Sequence, residues 1–183
     1  MTASSGRGAD WGSAVHATLE AAGKGASGRK LRDVGRTILL DNELPTDADG
    51  EPLDLDELVR LVEAVLTSEV WRRAREAEQL LMEVPFSVSS GTRETDQQNA
   101  GAPDDRLDVL EGIIDLAFKE PDGWVLADYK TDYVDDPTIL ERRLERYRDQ
   151  VDLYAFCWQN LTGEPVKERR ILWLGMERAD EVW

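Results

Sequence analysis

Cysteine and histidine are almost absent from this chain of 183 residues, which contains one of each. The single cysteine, Cys157, excludes an intramolecular disulfide, and its aromatic neighbours predict a buried thiol. No apolar stretch approaches the length of a transmembrane helix. The N-terminal residues also lack the hydrophobic segment of a signal peptide. We therefore predict a cytoplasmic protein with no membrane partner.

Basic residues are scarce as well, because 22 Lys and Arg stand against 38 Asp and Glu, a net charge of −16. Nucleic-acid affinity depends largely on phosphate contacts from Lys and Arg, so a chain this acidic is expected to bind DNA weakly by itself. The bases cluster in segments 24–36 and 142–148. Lys30 and Arg32 are candidate DNA contacts, although a solvated helix face is the more common explanation of such residues.

The most informative segment is 112–130, where two apolar runs flank a turn. Residues 113–118 and 124–130 have the composition of strands, and Pro-Asp-Gly at 121–123 is typical of a turn. These features predict an antiparallel hairpin.

The predicted hairpin brings two carboxylates and an amine together. Asp115 comes close to Asp128 at one end of the sheet, and strand alternation places Asp128 and Lys130 on one face with Tyr129 pointing away. Two carboxylates in a partly apolar setting repel each other unless a cation lies between them, and Mg²⁺ or Mn²⁺ prefers oxygen ligands. The pattern therefore favours a metal site for phosphodiester cleavage, with Lys130 orienting water or stabilising the phosphate.

Asp-x-Lys taken alone is explained as well by an exposed ion pair at a strand end, but three other segments supply matching groups. His16, the only histidine, lies on a predicted first helix, where a capping or core role is the simpler explanation. Glu83 lies within an apolar strand, where an uncompensated charge is costly. Gln150 and Tyr154 are four residues apart on a predicted long helix and share a face, which also suits a core tyrosine beside a rim glutamine.

The order of these motifs resembles that of the RecB-type nuclease domain, which belongs to the PD-(D/E)xK group. The motifs are Gly-x-x-x-His, Glu-Val-Pro-Phe, Gly-Ile-Ile-Asp-Leu, Asp-Tyr-Lys-Thr-Asp and Gln-x-x-x-Tyr, between residues 12 and 154. The strongest likeness, over about residues 11–175, is to the carboxy-terminal nuclease domain of AddA-type helicase–nucleases. The resemblance implies an α/β fold with a restriction-endonuclease-like core, in which helices flank a central mixed sheet.

The resemblance also implies a role for each matching residue. The implied catalytic residues are Glu83, Asp115, Asp128 and Lys130. The implied metal ligands are His16, Asp115, Asp128 and the backbone carbonyl of Tyr129. Glu83 is expected to reach the metal through water, and Gln150 and Tyr154 to position DNA or support the site. Asp132, at the end of Asp-Tyr-Lys-Thr-Asp, receives no role.

We therefore predict a Mg²⁺- or Mn²⁺-dependent deoxyribonuclease that acts on single-stranded DNA as the nuclease module of a helicase–nuclease in double-strand break repair. The predicted partners are DNA and the helicase motor region or partner subunit of an AddAB- or RecBCD-like complex. Relatives that hold an iron–sulfur cluster use four cysteines, so one cysteine excludes that cluster from this chain. Two alternatives remain open: a stand-alone nuclease with another substrate, and a non-catalytic DNA-binding or scaffold module.

The expected organisation is one folded domain. Residues 1–10 are predicted to be a flexible lead-in or linker, and residues 11–183 the RecB-like nuclease domain. Helices are predicted at 10–22, 55–66, 68–80 and 138–160, and further strands at 81–88 and 169–174. An acidic loop is predicted at 41–54 and a mobile loop at 89–106.

Overall fold

Ten helices and strands make up the described part of the chain. The computed structural model describes residues 8–90, 108–175 and 180–183, with only the backbone at 89–90 and 108–109. In chain order the elements are α1 (Ala9–Gly23), α2 (Gly28–Asp41), α3 (Leu55–Leu66), α4 (Glu69–Glu76), β1 (Gln79–Ser90), β2 (Asp108–Glu120), β3 (Gly123–Lys130), α5 (Pro137–Thr162), β4 (Val166–Trp173) and β5 (Glu181–Val182).

The strands form one mixed sheet in the order β1-β2-β3-β4-β5. Neighbouring strands are antiparallel except β3 and β4, which run parallel because α5 connects them. Helices α1 to α4 contribute to one core on one side of the sheet, and α5 packs against the opposite side. The predicted α/β fold with helices flanking a central mixed sheet is therefore confirmed. Within the described residues, no helix combines the length and apolar character that a membrane span requires.

The predicted hairpin is present as β2 and β3, with Leu116 opposite Ala127 and Glu120 opposite Gly123. Gly123 has a φ of 142°, and a Cβ at this position would lie 2.8 Å from the carbonyl oxygen of Pro165. A glycine is therefore required where the turn enters β3 and passes close to the chain that leads into β4.

Helix α2 was not predicted. Its buried residues Leu31, Gly35 and Leu39 recur every four positions and belong to a helix packed on α1 and α3. Two glycines and many charges weaken this pattern in the sequence, whereas packing against two other helices stabilises it in the fold. Residues 28–36 of the segment 24–36 therefore lie on α2, and their basic side chains are exposed on the side opposite Leu31 and Gly35.

Other boundaries differ in smaller ways. The helix predicted at 68–80 ends at Glu76, because residues from Gln79 onward pair with β2 instead. The strand predicted at 169–174 begins earlier, at Val166. The acidic segment 41–54 is largely loop, as expected, with one isolated bridge between Thr46 and Pro52. Residues 1–7 and 91–106, which carry most of the predicted lead-in and mobile loop, lie outside the described residues.

Helix α5 has clear start and stop signals. The Asp136 side chain accepts hydrogen bonds from the backbone N–H groups of Thr138 and Ile139, and Pro137 occupies the first turn. The helix ends at Gly163, whose φ of 71° lies in the left-handed region. Its buried face includes Cys157, so the predicted buried thiol is confirmed.

Arg73 joins α4 to two strands through a partly buried ion-pair network. Its guanidinium donates two hydrogen bonds to Glu120 on β2 and two to Glu168 on β4, at 2.9–3.0 Å. The Arg73 side chain is 16% exposed, whereas that of its neighbour Arg72 is 61% exposed and pairs with Glu76 one turn along the same helix.

Replacing Arg73 by methionine is expected to lower the free energy of unfolding by about 2–4 kcal/mol, because two partly buried carboxylates lose their bidentate partner. Replacing Arg72 by methionine is the matched control, with an expected cost below about 1 kcal/mol. Urea unfolding of both variants measures the difference. Equal costs for the two variants would show that the network contributes no more than an exposed pair.

The same network predicts an acid dependence of stability. Hydrogen bonds from Arg73 hold the pKa of Glu120 at about 2, below its ordinary value. Because the folded-state pKa is depressed, the stabilisation is present above the unfolded-state pKa of about 4.3 and is lost as the pH falls toward 2. We expect this loss of stability to be smaller in the Arg73→Met variant.

Candidate active site

The β1–β2 pair is irregular where two of the predicted site residues face each other. Pairing runs from Met82 opposite Leu116 to Val84 opposite Ile114, and omits Glu83 and Asp115 between them. Glu83 has a φ of 48°, which is uncommon for a residue other than glycine. Met82 packs in the core below α1 to α4, whereas Val84 packs on the α5 side. The strand therefore changes face at Glu83.

The β2–β3 ladder also ends at this point, because its last pair is Leu116 with Ala127. Beyond it, the backbone N–H of Tyr129 donates a hydrogen bond of 2.7 Å to Asp115 Oδ2. The Asp115 carboxylate thus takes the place of a backbone acceptor where the two strands diverge. This contact fixes the carboxylate, which is largely buried, at the opening between β2 and β3.

Three potential metal ligands converge at this opening from three different elements. His16 Nδ1 on α1 lies 3.3 Å from Glu83 Oε1 and 3.4 Å from Asp115 Oδ1. One ligand atom from each residue lies within 4.8 Å of the others. Glu83 Oε1 is buried, and apart from the nearby His16 Nδ1 it has no hydrogen-bond donor among the described residues. One imidazole and two carboxylates with an unsatisfied oxygen suit a divalent cation.

The charges of these groups are strongly coupled. Burial lowers the pKa of His16, but the Asp115 and Glu83 carboxylates more than offset this effect and raise it to about 10. The imidazole is therefore protonated at neutral pH and must release a proton before Nδ1 can bind a cation. Its ring also packs edge-on against that of Tyr129, with centroids 5.7 Å apart.

Asp128 and Lys130 share the α5 face of β3, as strand alternation predicted. Lys130 Nζ lies 2.7 Å from Asp128 Oδ2. Burial, followed by the negative charge of Asp115, raises the pKa of Asp128 to about 6, whereas Lys130 and His16 act to lower it. Asp128 is therefore close enough to interact with Asp115, but it is paired with Lys130 and is not one of the three converging ligands.

The predicted pair on α5 reaches the same lysine. Lys130 Nζ donates a hydrogen bond of 3.3 Å to Gln150 Oε1, and Gln150 Nε2 donates one of 2.8 Å to the Tyr154 hydroxyl. The Tyr154 ring packs edge-on against Phe86, 5.0 Å between centroids. Gln150 and Tyr154 thus form a chain of contacts that ends at Lys130.

Tyr147 was not predicted as a site residue, yet the centroid of its ring lies 4.4 Å from Lys130 Nζ. Its hydroxyl donates a short hydrogen bond to Asp132, the residue that received no role. Tyr147 precedes Gln150 by three residues, which places both near one helix face. That spacing was the available signal, but it also fits the apolar face of α5.

Lys30 and Arg32 are not brought to the site by any described contact. Both lie on α2, which packs against α1 and α3. Lys30 is exposed, and Arg32 forms a 2.5 Å ion pair with Asp56 on α3. Their role in DNA binding stays a prediction.

The chain is similar in sequence to known nucleases. A sequence model of the PD-(D/E)XK nuclease superfamily matches residues 2–181. The AddA-type ATP-dependent helicase/nuclease of Heliobacterium modesticaldum is 32% identical over 178 residues, which cover 91% of this chain and 12% of that protein. The corresponding proteins from Carboxydothermus hydrogenoformans and a Thermoanaerobacter species are 31% identical over 157 residues and 32% identical over 133. These matches cover 86% and 73% of this chain, and 13% and 10% of the two relatives.

Proposed function

This chain belongs to the PD-(D/E)XK nuclease superfamily, and we propose that it is a divalent-metal-dependent nuclease that hydrolyses phosphodiester bonds in single-stranded DNA. The observation that carries the proposal is the convergence of His16, Glu83 and Asp115 beside the Asp128–Lys130 pair. If Asp128 and Lys130 formed only a structural ion pair, the unsatisfied buried oxygen of Glu83 and the histidine from a separate helix would have no explanation.

The donor set suits Mg²⁺ or Mn²⁺. Carboxylate oxygens suit both ions, whereas the imidazole of His16 favours Mn²⁺. Glu83 lies as close to His16 as Asp115 does, which favours Glu83 as a direct ligand over the water-mediated contact that the resemblance implied. Asp128 would join the ligands by turning its carboxylate from Lys130, and the carbonyl of Tyr129 remains a proposed ligand.

A bound divalent cation would lower the pKa of a water molecule and neutralise charge developing on the phosphate. Lys130 can donate to the attacking water or to a phosphate oxygen, because its ammonium is held near the ligands by Asp128 and Gln150. The Asp115 carboxylate keeps a fixed orientation through the Tyr129 N–H group. These residues therefore prepare the site before the substrate arrives.

Few of the Lys and Arg side chains that the structure describes are free to contact a DNA backbone. Among the described residues, the Lys and Arg side chains without an ion-pair partner within 4.0 Å are Lys30, Arg60, Arg75, Arg142 and Arg146. Arg142 and Arg146 lie on α5, eight and four residues before Gln150, on a stripe that leads toward the site. Their neighbours Arg143 and Arg148 are paired with Asp132 and Glu181. We propose that Arg142 and Arg146 contact the incoming strand.

Replacing both Arg142 and Arg146 by glutamine is expected to weaken binding of single-stranded DNA about tenfold. A plot of the logarithm of the binding constant against the logarithm of the salt concentration should also become less steep by about 1.4, the value for two phosphate contacts on a single strand. The control is the Arg60→Gln/Arg75→Gln variant, which has the same change in net charge on α3 and α4. Fluorescence anisotropy across a salt series measures both variants. Equal weakening by the control would assign the effect to net charge alone.

The proposed context is a larger helicase–nuclease that acts in double-strand break repair. The chain spans between 10% and 13% of the length of the three curated relatives compared above. Because its net charge of −16 disfavours independent DNA binding, a motor region or partner subunit would deliver the strand to the site.

A nuclease assay tests the proposed function directly. Labelled single-stranded and double-stranded DNA is incubated with the protein in Mn²⁺, Mg²⁺ or EDTA. We expect cleavage that requires metal and prefers the single strand. Absence of both metal binding, measured by calorimetry, and cleavage would contradict the proposal and favour a scaffold function.

A further inference from the structure

The Lys130 ammonium has a partner on three sides. Lys130 Nζ lies 2.7 Å from Asp128 Oδ2 and 3.3 Å from Gln150 Oε1. It also lies over the face of the Tyr147 ring, 4.4 Å from the ring centroid. The carboxylate is the strongest of these partners, and the hydrogen bond to Gln150 is long. An ammonium on a flexible four-carbon stem needs more than one weak contact to hold its position.

Tyr147 is itself held in place by its surroundings. Its hydroxyl donates a short hydrogen bond to Asp132, and Asp132 lies 3.4 Å from Arg143 Nη1. The ring packs at a tilt against Trp173, with centroids 6.0 Å apart. Burial and the hydrogen bond to Asp132 raise the pKa of Tyr147 to about 12, so its hydroxyl remains a donor. The face of the ring is thus fixed toward Lys130.

We propose that Tyr147 is a positioning residue for Lys130, and that Asp132 orients its ring through the hydroxyl group. This inference rests on the proposed nuclease function. If the Asp128 carboxylate held a cation, its attraction for Lys130 would weaken, and the ring of Tyr147 together with Gln150 would keep the ammonium in place. A cation over an aromatic face is stabilised without neutralising its charge. With one N–H donated to Gln150 Oε1, two N–H donors of Lys130 remain available for water or phosphate.

The first test measures geometry and needs neither metal nor activity. Protons on the Lys130 side chain lie near the ring face, so the NMR signals of its ε-methylene group should be shifted upfield by the ring current. The shift should persist in the Tyr147→Phe variant and disappear in Tyr147→Leu. The Tyr133→Leu variant, which removes an exposed tyrosine from the neighbouring segment, is the control and should leave the shift unchanged. An unchanged shift in Tyr147→Leu would overturn the inference.

The second test separates positioning from DNA binding and from stability. Tyr147→Leu is expected to lower kcat about tenfold, with KM for DNA and the metal Kd little changed. Because the ring also packs on Trp173, kcat is compared at a temperature at which circular dichroism shows both proteins to be folded. Tyr147→Phe keeps the ring but loses the hydroxyl that Asp132 orients, so its kcat should lie between those of Tyr147→Leu and wild type. Asp132→Ala removes the same hydrogen bond, together with the contact to Arg143, and should resemble Tyr147→Phe. A rise in KM alone, or equal defects in the Phe and Leu variants, would overturn the inference. If the wild-type protein shows the ring-current shift but does not cleave DNA, the proposed function fails while the geometry stands.

Discussion

Replacing Asp115 by asparagine is expected to reduce metal affinity and DNA cleavage by more than about 100-fold, beyond the usual effect of losing an outer-sphere partner. Asp115 is the residue that contacts both His16 and the backbone of β3. Asparagine keeps an oxygen that can accept from the Tyr129 N–H group, so the strands should remain in register. It cannot supply a charged ligand, and cation binding should therefore fail while folding persists.

Calorimetry with Mn²⁺ and the nuclease assay measure this effect, and thermal unfolding checks the fold. The matched control is Asp41→Asn, at the exposed end of α2, where activity should stay within about twofold of wild type. A second readout is the titration of His16 in the absence of metal. Because Asp115 helps to raise the His16 pKa to about 10, the variant should titrate at lower pH. Full activity in Asp115→Asn would eliminate this carboxylate as a ligand.

Replacing Lys130 by methionine is expected to lower the cleavage rate by about 10²–10³-fold, the usual cost of removing a donor that stabilises the transition state. Methionine has a similar length but carries no charge, so the contacts with Gln150 and Tyr147 lose their electrostatic component. The ligands His16, Glu83 and Asp115 do not depend on Lys130. Metal affinity should therefore be little changed while kcat falls.

Single-turnover cleavage at saturating metal, together with calorimetry, separates these two quantities. The Lys24→Met variant is the control, because Lys24 is exposed at the end of α1 and pairs with Glu20 on the same helix. Its cleavage rate should equal that of wild type within about twofold. Equal losses of metal binding and cleavage in Lys130→Met would show that the lysine supports the ligands and does not act in the reaction.

Much of the fold follows from local patterns. The hairpin was predicted because the turn at 121–123 separates two β-prone runs, and the opposite directions of Asp128 and Tyr129 follow from strand alternation alone. The long helix was predicted from apolar residues at spacings of three and four, which α5 buries. Helix α2 was missed because its burial depends on packing against α1 and α3, which the pattern of residues within α2 does not contain.

By itself the sequence determined the family, the hairpin and the types of residue available for chemistry, because motifs and periodicity are local properties. Only the tertiary structure decided how those residues are grouped. Strand β1 changes face at Glu83, which places the Glu83 carboxylate 3.3 Å from His16 Nδ1, while Asp128 pairs with Lys130. The contact between Tyr147 and Lys130 likewise requires α5 to pack against β3. Such distances depend on backbone twist and on packing between elements far apart in the chain, which no local pattern contains.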